Sequence, residues 1–415
     1  MRFSKITVEK WQQFETIEID FDRRLTILTG ANGSGKTSIL NVLAKHANWQ
    51  QPSYSIPKKQ KRSGVVSFIT RFFDGEDKSS LPKIGELHYA DGSKAELHTQ
   101  TSNSAEYHLN ITDQKEVECF YIPSHRSVPK YQALTNVPTI KKDKKTAFDE
   151  VFNTNKERYF GRSKVSSSYF MKAALIGWAT HGYGVQTPTG NIIMASDVEQ
   201  AAYFEGFPEV LKKILPKSLG FERLEIRNSE LVFVCNGGND EFILETASGG
   251  IYALIDMAWQ IYMYSTEEQK HFTVIIDEVE NHLHPSMQRQ VLGDFLEAFP
   301  NVCFIVSTHS PLIVGSVRNA KVYALLYNER KKIVSTILDF KEKAKTASEI
   351  LDEVLGVSTT MPIWAEDQLK SIVGEYSHKE MSEVDFRSMK SKLKELGLER
   401  FIPSAIASVL EEKSD

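Results

Sequence analysis

Cysteine is scarce in this 415-residue sequence, and so are the patterns that would tie it to a membrane or an oxidised compartment. Cys119, Cys235 and Cys303 lie far apart, at no metal-ligand spacing and with no disulfide framework. Cys303 sits inside an apolar run and reads as core. No stretch approaches the about 18 apolar residues of a membrane span, and the N-terminus carries no signal-peptide pattern. A large charge of one sign is missing too: 50 Lys and Arg stand against 54 Asp and Glu, net −4. No global field therefore draws the chain to nucleic acid, and a DNA contact would need a local basic patch. Internal repeats and low-complexity tracts are absent. These absences lead to the expectation of a soluble, cytoplasmic protein with no membrane partner, long enough for two or three domains.

What is present is more specific. Gly30-Ala31-Asn32-Gly33-Ser34-Gly35-Lys36-Thr37 matches G-x-x-x-x-G-K-[ST], a phosphate-gripping loop. An apolar, β-branched run (Leu25–Thr29) precedes it, and Ser38–Ala44 reads as a helix. Glycines let the backbone close around a polyphosphate, so that successive N–H groups and the helix N-terminus face negative charge. Lys36 is placed to reach the β- and γ-phosphates of ATP, and Thr37 to offer its hydroxyl to Mg²⁺.

Residues 1–29 alternate as strands (Ile6/Val8, Ile17/Ile19/Phe21), with Trp11 and Phe14 read as core of the first hairpin rather than as adenine-stacking residues. Pro57–Gly64 is polar and basic, and reads as a loop. Residues 65–121 alternate again between Gly/Asp turns, which predicts antiparallel sheet. Lys141, Lys142, Lys144 and Lys145 open a mostly helical stretch to about 217; a solvated loop is the default for these cations. Strands Phe221–Arg227 and Leu231–Cys235 follow, joined by Asn228-Ser229. Residues 346–415 look helical, with capping-box spacing at Thr346–Glu349 and Ser382–Asp385 and a stop at Gly397.

Phe272-Thr273-Val274-Ile275-Ile276-Asp277-Glu278 is an almost continuous apolar strand ending in two carboxylates, as in buried parallel sheets. A helix opened by Pro285 and a second buried strand, Val302–Ser307, follow, ending at Thr308-His309-Ser310. Both strands of this β-α-β unit deliver polar residues at their carboxyl ends, where ligands bind. Asp277 is placed to hold Mg²⁺, Glu278 to orient or deprotonate the attacking water, and His309 to sense the γ-phosphate; with Lys36 they make a catalytic set for phosphoryl transfer. Thr246-Ala247-Ser248-Gly249-Gly250 opens a helix whose apolar positions run Ile251, Leu254, Ile255, Ala258, Ile261 and Tyr262. Its N-terminus is an anion site, or a plain N-cap formed by Ser248.

On these elements the sequence resembles the ATP-binding-cassette (ABC) ATPases, whose L-S-G-G-Q signature lies just upstream of the Asp-Glu strand. Ala247 and Ile251 depart from that signature; Ser248, Gly249 and Gly250 keep it. The opening Ile6–Phe14 before the phosphate loop, and Asp277–Pro285 against D-E-x-E-x-x-L-H-P, look like the SMC, RecF and OLD group rather than transporter subunits. The resemblance covers roughly residues 1–45 and 240–315. It implies an α/β fold: an ABC-ATPase head with a mixed, partly parallel P-loop sheet, an antiparallel β subdomain, an inserted helical lobe and a helical C-terminal tail. The corresponding division is 1–133, 134–240, 241–340 and 341–415. It further implies nucleotide contacts from Gly30 through Ser38, metal contacts from Thr37 and Asp277, and a head-to-tail dimer or higher homo-oligomer in which Ser248, Gly249 and Gly250 complete the partner's site. Long coiled coils are excluded, because 241 residues separate Lys36 from Asp277 without sustained heptads.

Tyr121–Arg126 occupies the place of the loop that links such a core to its helical lobe. His125 or Arg126 would there feel the γ-phosphate and Gln132 approach Mg²⁺; a turn stabilised by Pro123 and Ser124 fits equally. His282 and His284 with Glu278 and Glu280 read as an inter-protomer loop rather than as a zinc site. The tail beyond 330 has no Asp-x-Asp, and no nuclease signature appears. The resemblance therefore extends to ATPases of bacterial anti-phage systems (Septu-, PARIS- or retron-associated), which hold or release a separate nuclease or toxin. Ile350–Gly356 and Met361–Trp364 would be a docking or oligomerisation surface. The alternatives are a RecF-like clamp, with DNA as partner, and a non-catalytic scaffold.

Overall fold

The computed structural model describes residues 1–59, 66–69, 82–99, 105–126, 128–136, 138–162, 165–338, 363–377, 382–403 and 405–406. The chain divides into two compact units, Met1–Ile350 and Leu351–Asp415.

The first unit is built on an 11-stranded mixed sheet. Its centre is parallel: Cys119–Ile122, Thr273–Ile276, Cys303–Ser307, Leu25–Thr29 and Lys321–Tyr327 lie side by side in that order. The four strands from Cys119–Ile122 to Leu25–Thr29 are buried at every residue, which explains their unbroken apolar runs. Because they are parallel, all of their carboxyl ends open onto one edge, and the phosphate loop, Asp277 and His309 must share it.

Ile333–Leu338 pairs antiparallel with Lys321–Tyr327 and carries the sheet into an antiparallel wing. That wing comprises Phe14–Asp20, Phe3–Trp11, Lys83–Tyr89, Lys94–Thr99 and Leu109–Thr112. One face of it is core, with Ile6, Val8, Ile17, Ile19, Leu87 and Leu97 fully buried, so the alternation in the sequence is the signature of a half-covered sheet. Trp11 and Phe14 are core residues, as expected; the Trp11 indole donates to the Tyr107 hydroxyl at 3.0 Å.

Three departures from the sequence reading have simple causes. Pro57-Lys58-Lys59, expected in a loop, belongs to strand Ile56–Lys59, whose backbone pairs with Val66–Ile69; charged residues do not prevent ladder bonding in a two-stranded ribbon. The remainder of the basic segment, 60–64, lies outside the described residues. Asp240–Ile243 adds a third strand to Phe221–Arg227 and Glu230–Cys235, although only four residues long and half polar. Asn228 and Ser229 take positive φ there, as a tight two-residue hairpin requires. The single helix expected from Pro285 is two, Pro285–Gln288 and Val291–Ala298. Gln288 turns its side chain away to donate to the Leu283 carbonyl and accept from Ser310 Oγ.

Helices Lys144–Tyr159, Ser167–Tyr183 and Val198–Ile214 pack around Gly249–Tyr264. That last helix is buried at 14 positions, not on one stripe, because helices and sheet enclose it. Three of the four lysines entering this region are committed within the chain. Lys141 pairs with Asp197 and Lys142 with Glu150, while Lys144 donates to the Ser265 carbonyl over the Tyr262 ring.

In the second unit, helices Ile363–Ser377 and Glu383–Glu395 bury Ile372, Val373, Tyr376, Met389 and Leu393 against each other. Ser382 and Asp385 form the capping box, and Gly397 follows the helix end at φ +69°. Thr346–Glu349, Ile350–Gly356, Met361 and Pro362 lie outside the described residues, and Trp364 is exposed.

Candidate functional site

The loop from Gly30 to Gly35 turns between strand Leu25–Thr29 and helix Lys36–Ala44. Gly30, Gly33 and Gly35 adopt φ of +141°, +79° and +83°, conformations that a side chain resists. At Gly35 space forbids one as well: a Cβ would lie 2.3 Å from Phe14 Cζ. Lys36 is buried and donates to the carbonyls of Gly30 (2.9 Å) and Ala31 (3.1 Å), drawing the loop into a ring. Burial lowers its pKa, opposed by Asp277, Glu278 and Glu280.

Thr37 faces Asp277 across the sheet edge. Its hydroxyl lies 2.9 Å from Asp277 Oδ2 and 3.1 Å from Oδ1, and Ser307 Oγ donates to Oδ1 at 2.5 Å. Burial raises the Asp277 pKa, with the Ser307 and Thr37 hydrogen bonds pulling the other way. An oxygen-only donor set beside three carboxylates and a single lysine suits a hard divalent cation, so these residues fit Mg²⁺.

Glu278 takes φ +47°, uncommon for a side-chain-bearing residue. The strain is held from several sides. The Glu278 amide donates to Ser307 Oγ at 2.8 Å, and the Asn281 amide donates to the Glu278 carbonyl at 3.0 Å. The result turns the carboxylate toward His309, whose Nε2–H donates to Oε1 at 2.8 Å, while Asn281 Nδ2 donates to Oε2 at 2.8 Å. Burial would raise the Glu278 pKa, but the His309 and Asn281 hydrogen bonds more than offset it, and the group sits below its ordinary value. It is a charged acceptor at neutral pH. Glu280 fixes the His309 backbone by accepting its N–H at 2.6 Å.

Arg126 does not turn to the phosphate loop. Its guanidinium donates to the carbonyls of Glu278 (2.9 Å) and Asn281 (3.1 Å), so it braces the backbone that presents the Glu278 carboxylate. His125 is exposed, with Ser124 Oγ 3.2 Å from its Nδ1. Gln132 is not brought to this cluster: its side-chain oxygen accepts from the Ser166 amide at the head of helix Ser167–Tyr183. His284 caps helix Pro285–Gln288 through Nδ1, the work of a turn. Among the described residues no group of three or more His, Cys, Asp or Glu side chains forms a metal site. Motif reading gave no role to Ser307 or Asn281 and placed Glu280 in an inter-protomer loop; each lies inside or beside a recognised motif and makes its contacts here only through the tertiary fold.

Ser248 and Gly249 are exposed at the N-terminus of helix Gly249–Tyr264, and Ser248 makes no side-chain cap bond. Gly250 is buried: a Cβ there would lie 2.9 Å from the His282 carbonyl oxygen. The turn therefore rests on the loop after Glu278 through Gly250, with Ser248 and Gly249 exposed.

The sequence is similar to Septu protein PtuA of Bacillus mycoides, 27% identical over 157 residues, covering 36% of this chain and 22% of that protein. It is similar to the retron Ec83 probable ATPase of Escherichia coli, 26% identical over 172 residues (40% of this chain, 30% of that one), and to the retron Vc95 probable ATPase of Vibrio cholerae, 31% identical over 107 residues (25% and 20%). The chain thus spans less than a third of the length of these relatives. Similar solved structures include the SMC head domain from Thermotoga maritima, 15% identical, TM-score 0.41, covering 82% of this chain and 99% of that one. No helix among the described residues is long and apolar enough to cross a membrane. Residues 25–315, well over half the chain, match the family described as "AAA domain, putative AbiEii toxin, Type IV TA system", and the chain belongs to this family of P-loop ATPases.

Proposed function

We propose that the chain hydrolyses ATP in head-to-tail pairs and that this cycle controls a separate nuclease or toxin in a bacterial anti-phage defence system. The observation that carries the ATPase reading is the convergence of Lys36, the Thr37–Asp277 pair and the Glu278–His309 pair on one edge of a parallel sheet. Gly30 through Ser38 would cradle the triphosphate with backbone N–H groups, and Lys36 would exchange its two loop carbonyls for phosphate oxygens. Mg²⁺, held by Thr37 and Asp277, would supply charge neutralisation between the phosphates. Glu278, charged and gripped on both oxygens, has the acceptor needed to orient a water and take its proton. Its bond to His309 couples that acceptor to a strand end beside the phosphate loop. Ser248 and Gly249 are exposed at a helix start, with Gly250 buried behind them, which supports use of this turn by a second copy.

The defence role rests on the Septu and retron relatives. The RecF-like clamp has one observation in its favour: 42% identity over 43 residues to DNA replication and repair protein RecF of Geobacter sulfurreducens. Against it, Lys141, Lys142 and Lys144 have partners within the chain. Two measurements test the reading. Purified protein should release phosphate from Mg·ATP, and the native protein should co-purify with a nuclease or toxin while binding DNA weakly. Steeply salt-dependent, ATP-requiring DNA binding would favour the clamp instead.

A further inference from the structure

A cavity of about 480 Å³ lies between the loop after strand Cys119–Ile122 and helices Lys144–Tyr159 and Gly249–Tyr264. Arg126, Asn155, Arg158, Asp256 and Gln260 line it; among the described residues neither the phosphate loop nor Asp277 or Glu278 does. Asn155 and Arg158 stand three positions apart on one helix and so share a face. Asp256 and Gln260, four apart on the other, do the same.

Three of these lining residues carry a buried polar atom with no hydrogen-bond partner among the described residues: Arg126 Nε, Asn155 Oδ1 and Arg158 Nη1. Folded chains rarely leave such atoms unpaired, and three around one cavity call for an occupant. The carboxylate present does not supply it. Asp256 already accepts from Ser167 Oγ at 3.2 Å and from Gln260 Nε2 at 2.8 Å. Within the lining, two guanidiniums therefore stand against one committed carboxylate, while Glu280, Asp277 and Glu278 act on Arg126 from outside the cavity and leave Arg158 with Asp256 alone in the lining. Guanidinium N–H groups match phosphate oxygens in geometry and charge, whereas the Asn155 oxygen needs a donor. The volume suits a small organic molecule rather than a bare halide.

We infer that this cavity is a second ligand site, binding a phosphate group on Arg126 and Arg158, borne by a nucleoside monophosphate or by free inorganic phosphate. Such a ligand would also act on the nucleotide site. Arg126 spends its remaining nitrogens on the Glu278 and Asn281 carbonyls, so a contact at Nε pulls on the segment that presents the catalytic glutamate. This coupling rests on the ATPase reading above; the binding does not.

Calorimetric titration of adenosine monophosphate, and separately of inorganic phosphate, into Lys36→Ala reads the cavity with the phosphate loop disarmed. Saturable one-to-one binding is expected, weakened about tenfold or more when Arg158→Ala or Asn155→Asp is added. Tighter binding of the monophosphate assigns the site to nucleotides, equal binding to the free anion. No saturable binding of either, or binding indifferent to both added changes, overturns the site. Asn155→Asp nearly preserves volume and carries the test should Arg158→Ala unfold. In the wild-type chain, adenosine monophosphate should shift ATP turnover by about fivefold, and the shift should vanish in Arg158→Ala. A chain without any turnover would sink the ATPase reading and leave the binding result standing.

Discussion

Glu278→Gln separates chemistry from folding more cleanly than any other change at this site. The carboxylate accepts from His309 Nε2 and from Asn281 Nδ2, each at 2.8 Å. A glutamine in the same rotamer keeps both contacts: its oxygen accepts from Asn281, and its NH₂ donates to His309 in the other tautomer. Two charge-assisted bonds become neutral ones, while the cost of holding a charge in a half-buried place disappears. These effects oppose each other, so unfolding free energy should move by less than about 1.5 kcal/mol. Turnover has no such compensation, because a carboxamide cannot take a proton. General-base removal costs about 10²–10⁴ in rate, roughly 3–5 kcal/mol of transition-state stabilisation. Steady-state phosphate release should fall accordingly, with ATP still bound and the dimer persisting by size-exclusion in ATP. Turnover within tenfold of the parent would refute the role of Glu278, and loss of ATP binding would refute the argument that its contacts survive.

The other expectations follow from single observations. Ser248→Arg places a long cation at an exposed helix N-terminus without a cap bond to lose; hydrolysis should disappear while ATP binding to the lone chain stays within about twofold, and intact turnover would argue against a shared site. Gly35→Ala meets both a φ of +83° and the Phe14 ring, so it should destabilise the fold by about 2–5 kcal/mol in urea titration, together with loss of nucleotide binding. His46 accepts from the Tyr89 hydroxyl and donates to the Leu43 carbonyl, and burial lowers its pKa to about 4. The unfolded chain takes up that proton first, so His46 contributes stability that is complete above its ordinary value and lost as pH falls from about 6.5 to about 4. Between pH 7 and 5.5 the loss is about 1 kcal/mol, and His46→Gln should remove that part of the slope.

Residues whose role is carried by local backbone were legible in the sequence. The phosphate loop needs glycines at set spacings because side chains resist positive φ, which Gly30, Gly33 and Gly35 all adopt, and because a Cβ at Gly30 or Gly35 would collide with a neighbour. The Asp-Glu strand and the His309 strand show as apolar runs because both faces are covered. The capping box at Ser382 is a contact over three residues.

What depends on distant partners was not legible. Nothing in Arg126 itself says whether it meets a phosphate or the carbonyls of a loop some 150 positions later. Gln132 reads as a metal-facing residue until its oxygen is found on the Ser166 amide. Asp240–Ile243 is too short and polar to announce a strand, and forms one because an edge is there to pair with. The orphaned atoms of Arg126, Asn155 and Arg158 come from two elements separated in sequence and make a cavity only when packed. Local dihedral requirements and two-sided burial leave marks on residue types, so the sequence determined the chemistry of the phosphate loop and its sheet. Hydrogen-bond partners across elements leave almost none, because many polar side chains can make the same bond, and those only tertiary structure decided.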